Sequence, residues 1–257
     1  MAATVFYLDP LPQVGSIAVL DGKEGHHAAT VRRIRVGERI LLSDGHGGVA
    51  HTVVISAERD RLELTVDARS NMPRPTPTVG LVQALPKADR SELAVELATE
   101  AGVDSIVPWQ SSRCVARWEG AKTAKGVARW RSTVAAAAKQ SRRPFVPDVA
   151  ELHDTAAVLE LVRGVVSRGG IVAVLHESAT DRFSELPLRS VSEVLLVVGP
   201  EGGLDDNEVE RLTAAGARTV VLGPTVLRTS TAAAVALGAI GVSTDRWAQQ
   251  PLDFREP

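Results

Sequence analysis

The pattern of apolar and polar positions changes character once along the chain. Between residues 4 and 68 the apolar positions fall in short or alternating runs: Thr4–Leu8, Ser16–Leu20, Glu38–Ser43, His51–Ser56 and Arg61–Val66. Turn signals at Asp21-Gly22, Asp44-Gly45 and Arg59-Asp60 separate them. This spacing predicts a small β-barrel. One stretch, Glu24–Arg35, breaks the alternation and is expected to form a helical turn presenting Arg32, Arg33 and Arg35. Residues 69–77 carry Pro73, Pro75 and Pro77, which disfavour helix and predict an extended linker.

Beyond the linker the period alternates between strand and helix. Val79–Leu85, Ser105–Trp109, Ile171–Leu175, Val194–Val198 and Thr219–Leu222 are short apolar runs expected as buried strands. Helices are expected after Asp89, over Lys122–Arg142, Thr155–Ser167 and Asp205–Gly216, and from Thr231 onward. Asp89 and Glu92 have the spacing of a capping box, Gly102 closes that helix, and Pro144 is expected to end the long one. Val127, Trp130, Val134 and Ala138 share a face of the long helix, so Trp130 is read as core. Strands alternating with helices imply a mainly parallel sheet covered on both faces. The expected division is residues 1–72, residues 73–250 and a tail at 251–257.

Two stretches of this second region carry chemistry. Val194–Val198 runs into Gly199-Pro200-Glu201-Gly202-Gly203, and Thr219–Leu222 runs into Gly223-Pro224 and then Arg228, ahead of an Ala-rich helix. A strand that ends in a glycine loop and opens a helix presents free backbone N–H groups at one point. Two such corners suggest a single pocket lined by backbone.

Composition narrows the possibilities. One cysteine, Cys114, excludes an internal disulfide and a multi-cysteine zinc site. His26 and His27 are adjacent and point apart on a helix, so no metal site is expected there. The N-terminus lacks a charged region followed by an apolar run, and the longest apolar run, Ala232–Val242, falls short of the roughly 20 residues that cross a bilayer. A cytoplasmic protein without a membrane partner is expected. The net charge of −2 hides an asymmetry: Arg113–Arg143 holds nine Lys or Arg and one acid, +8, while the other 20 basic and 30 acidic residues give −10. A basic segment on an acidic protein points to a polyanion, most simply nucleic acid; the alternative is a solvated helix face paired with acids elsewhere. There is no P-loop, no G-x-G-x-x-G, no H-E-x-x-H and no G-x-S-x-G. A cofactor held mainly by backbone, with neither metal nor covalent nucleophile, is what remains.

The two corners, Val198-Gly-Pro-Glu-Gly-Gly203 and Leu222-Gly-Pro-Thr-Val-Leu-Arg-Thr-Ser-Thr-Ala232, resemble the second and third motifs of SPOUT methyltransferases. Gln83-Ala-Leu-Pro-Lys87, Ser112-Arg-Cys114 and the His27, Val31, Arg33, Gly37 spacing resemble the RsmE family more closely, over residues 4–246. Each motif alone is moderately specific; five in the same order are highly specific. The resemblance implies an α/β fold with a SPOUT trefoil-knotted methyltransferase domain preceded by a small PUA-like β-barrel, working as a homodimer. It implies S-adenosyl-L-methionine as cofactor, held by Leu175 and His176 in one loop, Gly199, Pro200, Glu201, Gly202 and Gly203 in the second, and Leu222, Gly223, Val226, Leu227 and Arg228 in the third.

The implied reaction is methylation of N3 of a uridine in small-subunit ribosomal RNA, on free RNA or the assembled small ribosomal subunit. N3 must lose its proton first, and Arg228 is the candidate to stabilise the resulting anion. Many relatives carry Glu where this chain has Ser230, so a carboxylate base at that position is missing here, and Glu201 is either an alternative base or the cap of the following helix. Arg32 stands where relatives often carry Leu. Arg32, Arg33, Arg35, Arg113, Arg117, Arg142 and Arg143 are the expected RNA contacts. The alternatives are the same fold acting on another RNA, and a non-catalytic RNA-binding assembly factor.

Overall fold

The computed structural model describes residues 4–249 and Leu252, apart from the side chains of Ala88 and Asp89. The expected tail 251–257 therefore lies outside the described residues except for Leu252. The chain forms two compact units, one of residues up to Arg74 with Ala138–Val146 and Leu252, the other of Pro75–Ala137 and Pro147–Gln249.

The first unit is built on β1 (Val5–Tyr7), β2 (Ile17–Leu20), β3 (Arg39–Ser43), β4 (Gly48–Glu58) and β5 (Arg61–Asn71), in the order β1-β3-β4-β5-β2. β1 runs parallel to β3 and the other pairs are antiparallel. Two register shifts in β4, at His51/Thr52 and Val54/Ser56, bend the long hairpin. Phe6 from one edge strand and Leu20 from the other share one buried cluster with Ile40, Leu42, Val54 and Leu64, so the sheet curls around a single core. The expected helical turn is α1 (Gly22–Gly25) continued by a π-helical turn, His26–Val31. It ends at Arg33, whose φ of 55° reverses the chain and leaves Arg32, Arg33 and Arg35 exposed. His27 packs edge-on to Phe6 at 5.7 Å. Burial, with the charge of Lys139 adding, lowers its pKa and holds it neutral.

Ala138–Val146 is woven into this unit. Lys139 donates to both oxygens of Glu24 at 2.8 Å, Tyr7 donates its hydroxyl to the Arg143 carbonyl at 2.7 Å, and Gly47 N–H bonds Pro144 O at 3.0 Å.

The second unit holds β6 (Thr78–Ala84), α2 (Ala88–Glu100), β7 (Ser105–Trp109), most of α3 (Ala121–Gln140), β8 (Asp148–Val149), α4 (Thr155–Ser167), β9 (Ile171–Leu175), β10 (Glu193–Val198), α5 (Asp206–Ala214), β11 (Arg218–Val220) and α6 (Thr229–Ser243). The strand order is β11-β9-β10-β6-β7-β8, and every pair is parallel. All strand C-termini therefore face one edge, where ligands of open α/β sheets bind.

Three local expectations are corrected. The N-cap of α2 is Lys87 and Glu92 is taken by Arg129 at 3.1 Å; the Asp89 side chain lies outside the described residues. α3 ends before Pro144, because Arg142 adopts φ 56° and Arg143 N–H closes on Ala138 O at 2.9 Å, a left-handed stop. Glu201 does not cap α5: Asp205 does so, in a capping box with Glu208. Trp130 is fully buried, as its helical spacing predicts, and donates to Ser91 Oγ at 2.8 Å.

The loop from β9 to β10 sets the topology. His176 N–H bonds Val220 O, and residues 181–183 then pair with Val221 along the outer side of β11's exit: Val221 N–H to Asp181 O, 2.8 Å, and Phe183 N–H to Val221 O, 3.0 Å. The chain then returns to β10, on the inner side of β9. The loop thus encircles the exit of β11, and the chain passes inside it before entering α6, the crossing a trefoil knot requires.

The far end of that threaded segment is anchored. After α6, buried Arg246 bonds Asp104 Oδ2 at 2.9 Å and Gly102 O at 2.5 Å, and also reaches Pro77 O, while Asp104 Oδ2 accepts from Val79 N–H at 2.7 Å. Arg246 thereby ties the C-terminal segment to the starts of β6 and β7. Arg246→Ala leaves Asp104 buried without its cation, and we expect a loss of about 3–5 kcal/mol in denaturant unfolding; a loss below about 1 kcal/mol would contradict the anchor.

Candidate active site at the glycine corners

The C-terminal ends of β9, β10 and β11 lie side by side, so their exit loops meet at one edge of the sheet. Thr229, the first residue of α6, joins two of them. Its hydroxyl donates to Gly199 O at 2.7 Å and accepts from Gln83 Nε2 at 3.0 Å. Gln83 also donates to Ala84 O at 3.0 Å, so two acceptors fix its amide orientation. One hydroxyl thus links the end of β6, the corner after β10 and the entry to α6. Neither Gln83 nor Thr229 stood out as a site residue in the sequence. The available signal was a fully buried glutamine in an apolar parallel strand, which needs a partner.

At the second corner, Gly199 leaves room for Leu204 to fold back, since a Cβ there would lie 3.0 Å from its side chain. Gly203 adopts φ 71° and its N–H bonds Pro200 O at 3.0 Å, closing the turn. Pro200 is buried, while Glu201, Gly202 and Gly203 are exposed. Glu201 Oε1 accepts from Lys87 N–H at 3.0 Å, clipping the corner to the loop after β6. Arg113 donates to Leu204 O at 3.0 Å. Behind it the buried Glu208 carboxylate takes Ser112 N–H at 2.9 Å, Ser112 Oγ at 3.0 Å and Thr155 Oγ1 at 2.9 Å. Cys114, on the same loop, is buried; burial raises its thiol pKa, which keeps it from acting as a nucleophile.

At the third corner, as at Glu201 and Gly202 of the second, main-chain N–H groups are left without a protein acceptor among the described residues. They are the N–H groups of Gly223, Thr225, Val226 and Leu227. Leu222, Gly223 and Leu227 are half-buried there, and Val226 is exposed. A run of unpartnered backbone groups between two half-buried leucines fits a planar heterocycle with polar edges, recognised through the main chain. The glycines and leucines expected to hold the cofactor are thus on converging loops, together with Leu175 and His176, both half-buried at the end of β9.

Arg228 is the N-cap of α6 by its backbone. Its carbonyl accepts from Thr231 and Ala232 N–H, but its exposed guanidinium has no partner among the described residues. Ser230 is buried and its hydroxyl lacks a partner among the described residues. No carboxylate projects from this turn of α6, so an acid–base group must come from elsewhere.

The expected RNA contacts separate. Arg113 and Arg117 belong to this unit, and Arg142 and Arg143 group with Arg32, Arg33 and Arg35 in the other. Arg32, Arg33, Arg35 and Arg142 are exposed; Arg143 is half-buried. No group of three or more metal-ligating side chains occurs among the described residues, and no described helix is long and apolar enough to cross a membrane.

Comparison with known proteins agrees with this geometry. Residues 73–241 match the RNA methyltransferase domain family, and residues 20–67 match the RNA methyltransferase PUA domain family. The chain is 54% identical over 247 residues to a protein of Mycobacterium bovis named ribosomal RNA small subunit methyltransferase E, covering 96% of this chain and 94% of that one. The protein of that name from Bacillus subtilis is 33% identical, covering 88% and 90%. In structure the chain is similar to a ribosomal RNA small subunit methyltransferase E from Neisseria gonorrhoeae solved with S-adenosyl methionine. That match has a TM-score of 0.83, 27% identity and coverage of 94% and 98%.

The Thr229 junction gives a direct expectation. Thr229→Val keeps the shape but strands Gly199 O and one of the two Gln83 Nε2 hydrogens, a cost of about 1–3 kcal/mol. S-adenosylmethionine affinity measured by calorimetry is expected to fall by up to about 5- to 150-fold; an unchanged affinity would show that the junction does not shape the pocket.

Proposed function

Since the chain belongs to the ribosomal RNA small subunit methyltransferase E family, we propose that it uses S-adenosylmethionine to methylate N3 of a specific uridine in small-subunit ribosomal RNA. The observation that carries this reading is the third corner: unpartnered main-chain groups at Gly223–Leu227, followed directly by the unpaired guanidinium of Arg228.

Bound S-adenosylmethionine would supply an electrophilic methyl on a sulfonium. The backbone of Gly223–Leu227 would take the polar edge of its base, the half-buried Leu222 and Leu227 would cover its apolar surface, and Gly199–Gly203 and Leu175–His176 would complete the pocket. Uridine N3 carries a proton when neutral and becomes nucleophilic once it is lost. A guanidinium beside the uracil carbonyls lowers the cost of the anion and holds the ring. The proton leaves to a group outside α6, since Ser230 offers no carboxylate. The Lys87 bond holds Glu201 at the rim of the corner.

Residues 1–72 act in this reading as the RNA-binding barrel, residues 73–250 as the methyltransferase domain and 251–257 as a tail. Arg32, Arg33 and Arg35 grip RNA from the first. A homodimer is supported by the apolar surface of the second: Val235 and Val242 on α6 are 47% and 71% exposed, beside a groove of about 490 Å³ lined by Leu186, Leu188 and Ala239. The place of action is the cytoplasm, where small subunits assemble.

The test is methyl transfer from labelled S-adenosylmethionine to small subunits from a strain lacking the modification, with naked small-subunit RNA in parallel, followed by nucleoside mass analysis. 3-Methyluridine is expected, with kcat reduced about 100-fold or more in Arg228→Ala. A ribose-methylated product, or no product while the cofactor still binds, would overturn the reading.

A further inference from the structure

A second concave site adjoins the glycine corners within the same unit. Its volume is about 260 Å³, and its walls are Pro86, the α2 residues Ser91 and Glu92, Arg117, Trp118 and the first three turns of α3. Four cations, Arg117, Lys122, Lys125 and Arg129, line it against the one carboxylate. The volume lies below the roughly 300–1,000 Å³ typical of organic-ligand sites, which favours a small group or one unit of a longer chain.

The charges decide what that group is. Lys122, Lys125 and Arg129 are spaced i, i+3, i+7 and share one helix face, where like charges oppose each other. Only Arg129 is compensated, by Glu92 at 3.1 Å. Among the described residues no carboxylate pairs with Lys122, Lys125 or Arg117. The start of α3, with its own positive dipole end, lies in the same wall. Three uncompensated cations in a concavity call for an anion.

The walls are preset. Arg117 donates to Ser112 O at 3.0 Å, a neutral acceptor that fixes the guanidinium without cancelling its charge. Ser112 is itself held by Glu208. Trp118 sits edge-on to Trp130 at 5.2 Å, and its backbone N–H bonds Gln110 Oε1 at 2.9 Å. Gly126 leaves it room: a Cβ at that position would lie 2.6 Å from the indole ring. The site is therefore a basic cup whose indole wall and Arg117 are held in place.

Its position gives it a role. Pro86 of the cup precedes Lys87, whose N–H bonds Glu201 of the second corner. One residue thus separates the cup from the loop that would hold the cofactor. We propose that Arg117, Lys122 and Lys125 form a subsite for a phosphodiester of the substrate RNA, next to the nucleotide that enters the methyl-transfer pocket. This rests on the reading of the chain as an RNA methyltransferase. The subsite would hold the strand in register, offsetting the cost of extruding the target base.

The experiment uses the full chain, wild type, K122A/K125A and K122R/K125R. Small-subunit ribosomal RNA binding is measured across salt concentrations, and S-adenosylmethionine binding and methyl transfer are measured beside it. Loss of the contact with that one phosphate is expected to lower the slope of log affinity against log salt by about 0.7–0.9 in K122A/K125A. RNA affinity should fall about tenfold or more with cofactor affinity unchanged, and the arginine pair should restore slope and affinity. An unchanged slope and affinity in K122A/K125A, with wild type methylating RNA normally, overturns the subsite and leaves the function intact. If the wild type neither binds nor methylates the RNA, the functional reading falls and the subsite with it. Inorganic phosphate is titrated in parallel; a variant that loses phosphate but binds RNA as before assigns the cup to a free anion and overturns the proposal.

Discussion

The hydroxyl of Thr229 is the interaction on which the site depends. It donates to Gly199 O and accepts from Gln83 Nε2, so three segments from distant parts of the sequence are fixed by one oxygen. Backbone recognition requires this. A side chain can adjust its rotamer to a ligand, whereas a main-chain N–H is aimed only as well as the loop carrying it. The third corner has N–H groups with no protein partner, and its two ends are β11 and the buried first turn of α6. Fixing Thr229 sets where that loop ends.

The threading serves the same purpose. A glycine loop on an edge strand would ordinarily be free on its outer side. Here residues 181–183 run along the exit of β11 and bond Val221 on the side β9 does not cover. The strand end is held from both flanks, and the loop it releases is confined between them. Arg246 closes the other end by tying the segment after α6 to the starts of β6 and β7. The helix between these two fixed points buries Ala232, Ala233, Ala236, Leu237 and Ile240, small and medium side chains that admit close approach of its neighbours, α2 among them. An apolar surface at Val235 and Val242 remains outside.

Much of this was legible in the sequence because it is local. The alternation of residues 4–68, the parallel-strand runs and the two glycine corners follow from spacing and turn chemistry. Non-local features were not legible. Nothing in Asp181-Arg182-Phe183 marks it as the partner of Val221, since that pairing needs the loop to pass around the strand. Glu208 reads as a surface acid on an amphipathic helix, yet Ser112 and Thr155 converge on it from far along the chain and make it a buried strut. The basic run Arg113–Arg143 reads as one segment, but a left-handed Arg142 ends its helix and Ala138–Val146 joins the barrel core through Lys139 and Tyr7. Gln83 did not stand out in its strand, and that its partner is the hydroxyl opening α6 depends on the crossing.

In the proposed complex the cofactor is held by the main chain of the corners. Amide hydrogen exchange with and without S-adenosylmethionine tests it most directly, since it reads individual N–H groups. Gly223, Thr225, Val226 and Leu227 are expected to exchange fast in the free protein and to slow markedly on binding, with smaller slowing at Gly202 and Gly203. Binding that protects amides elsewhere and leaves the Gly223–Leu227 run unchanged would contradict it.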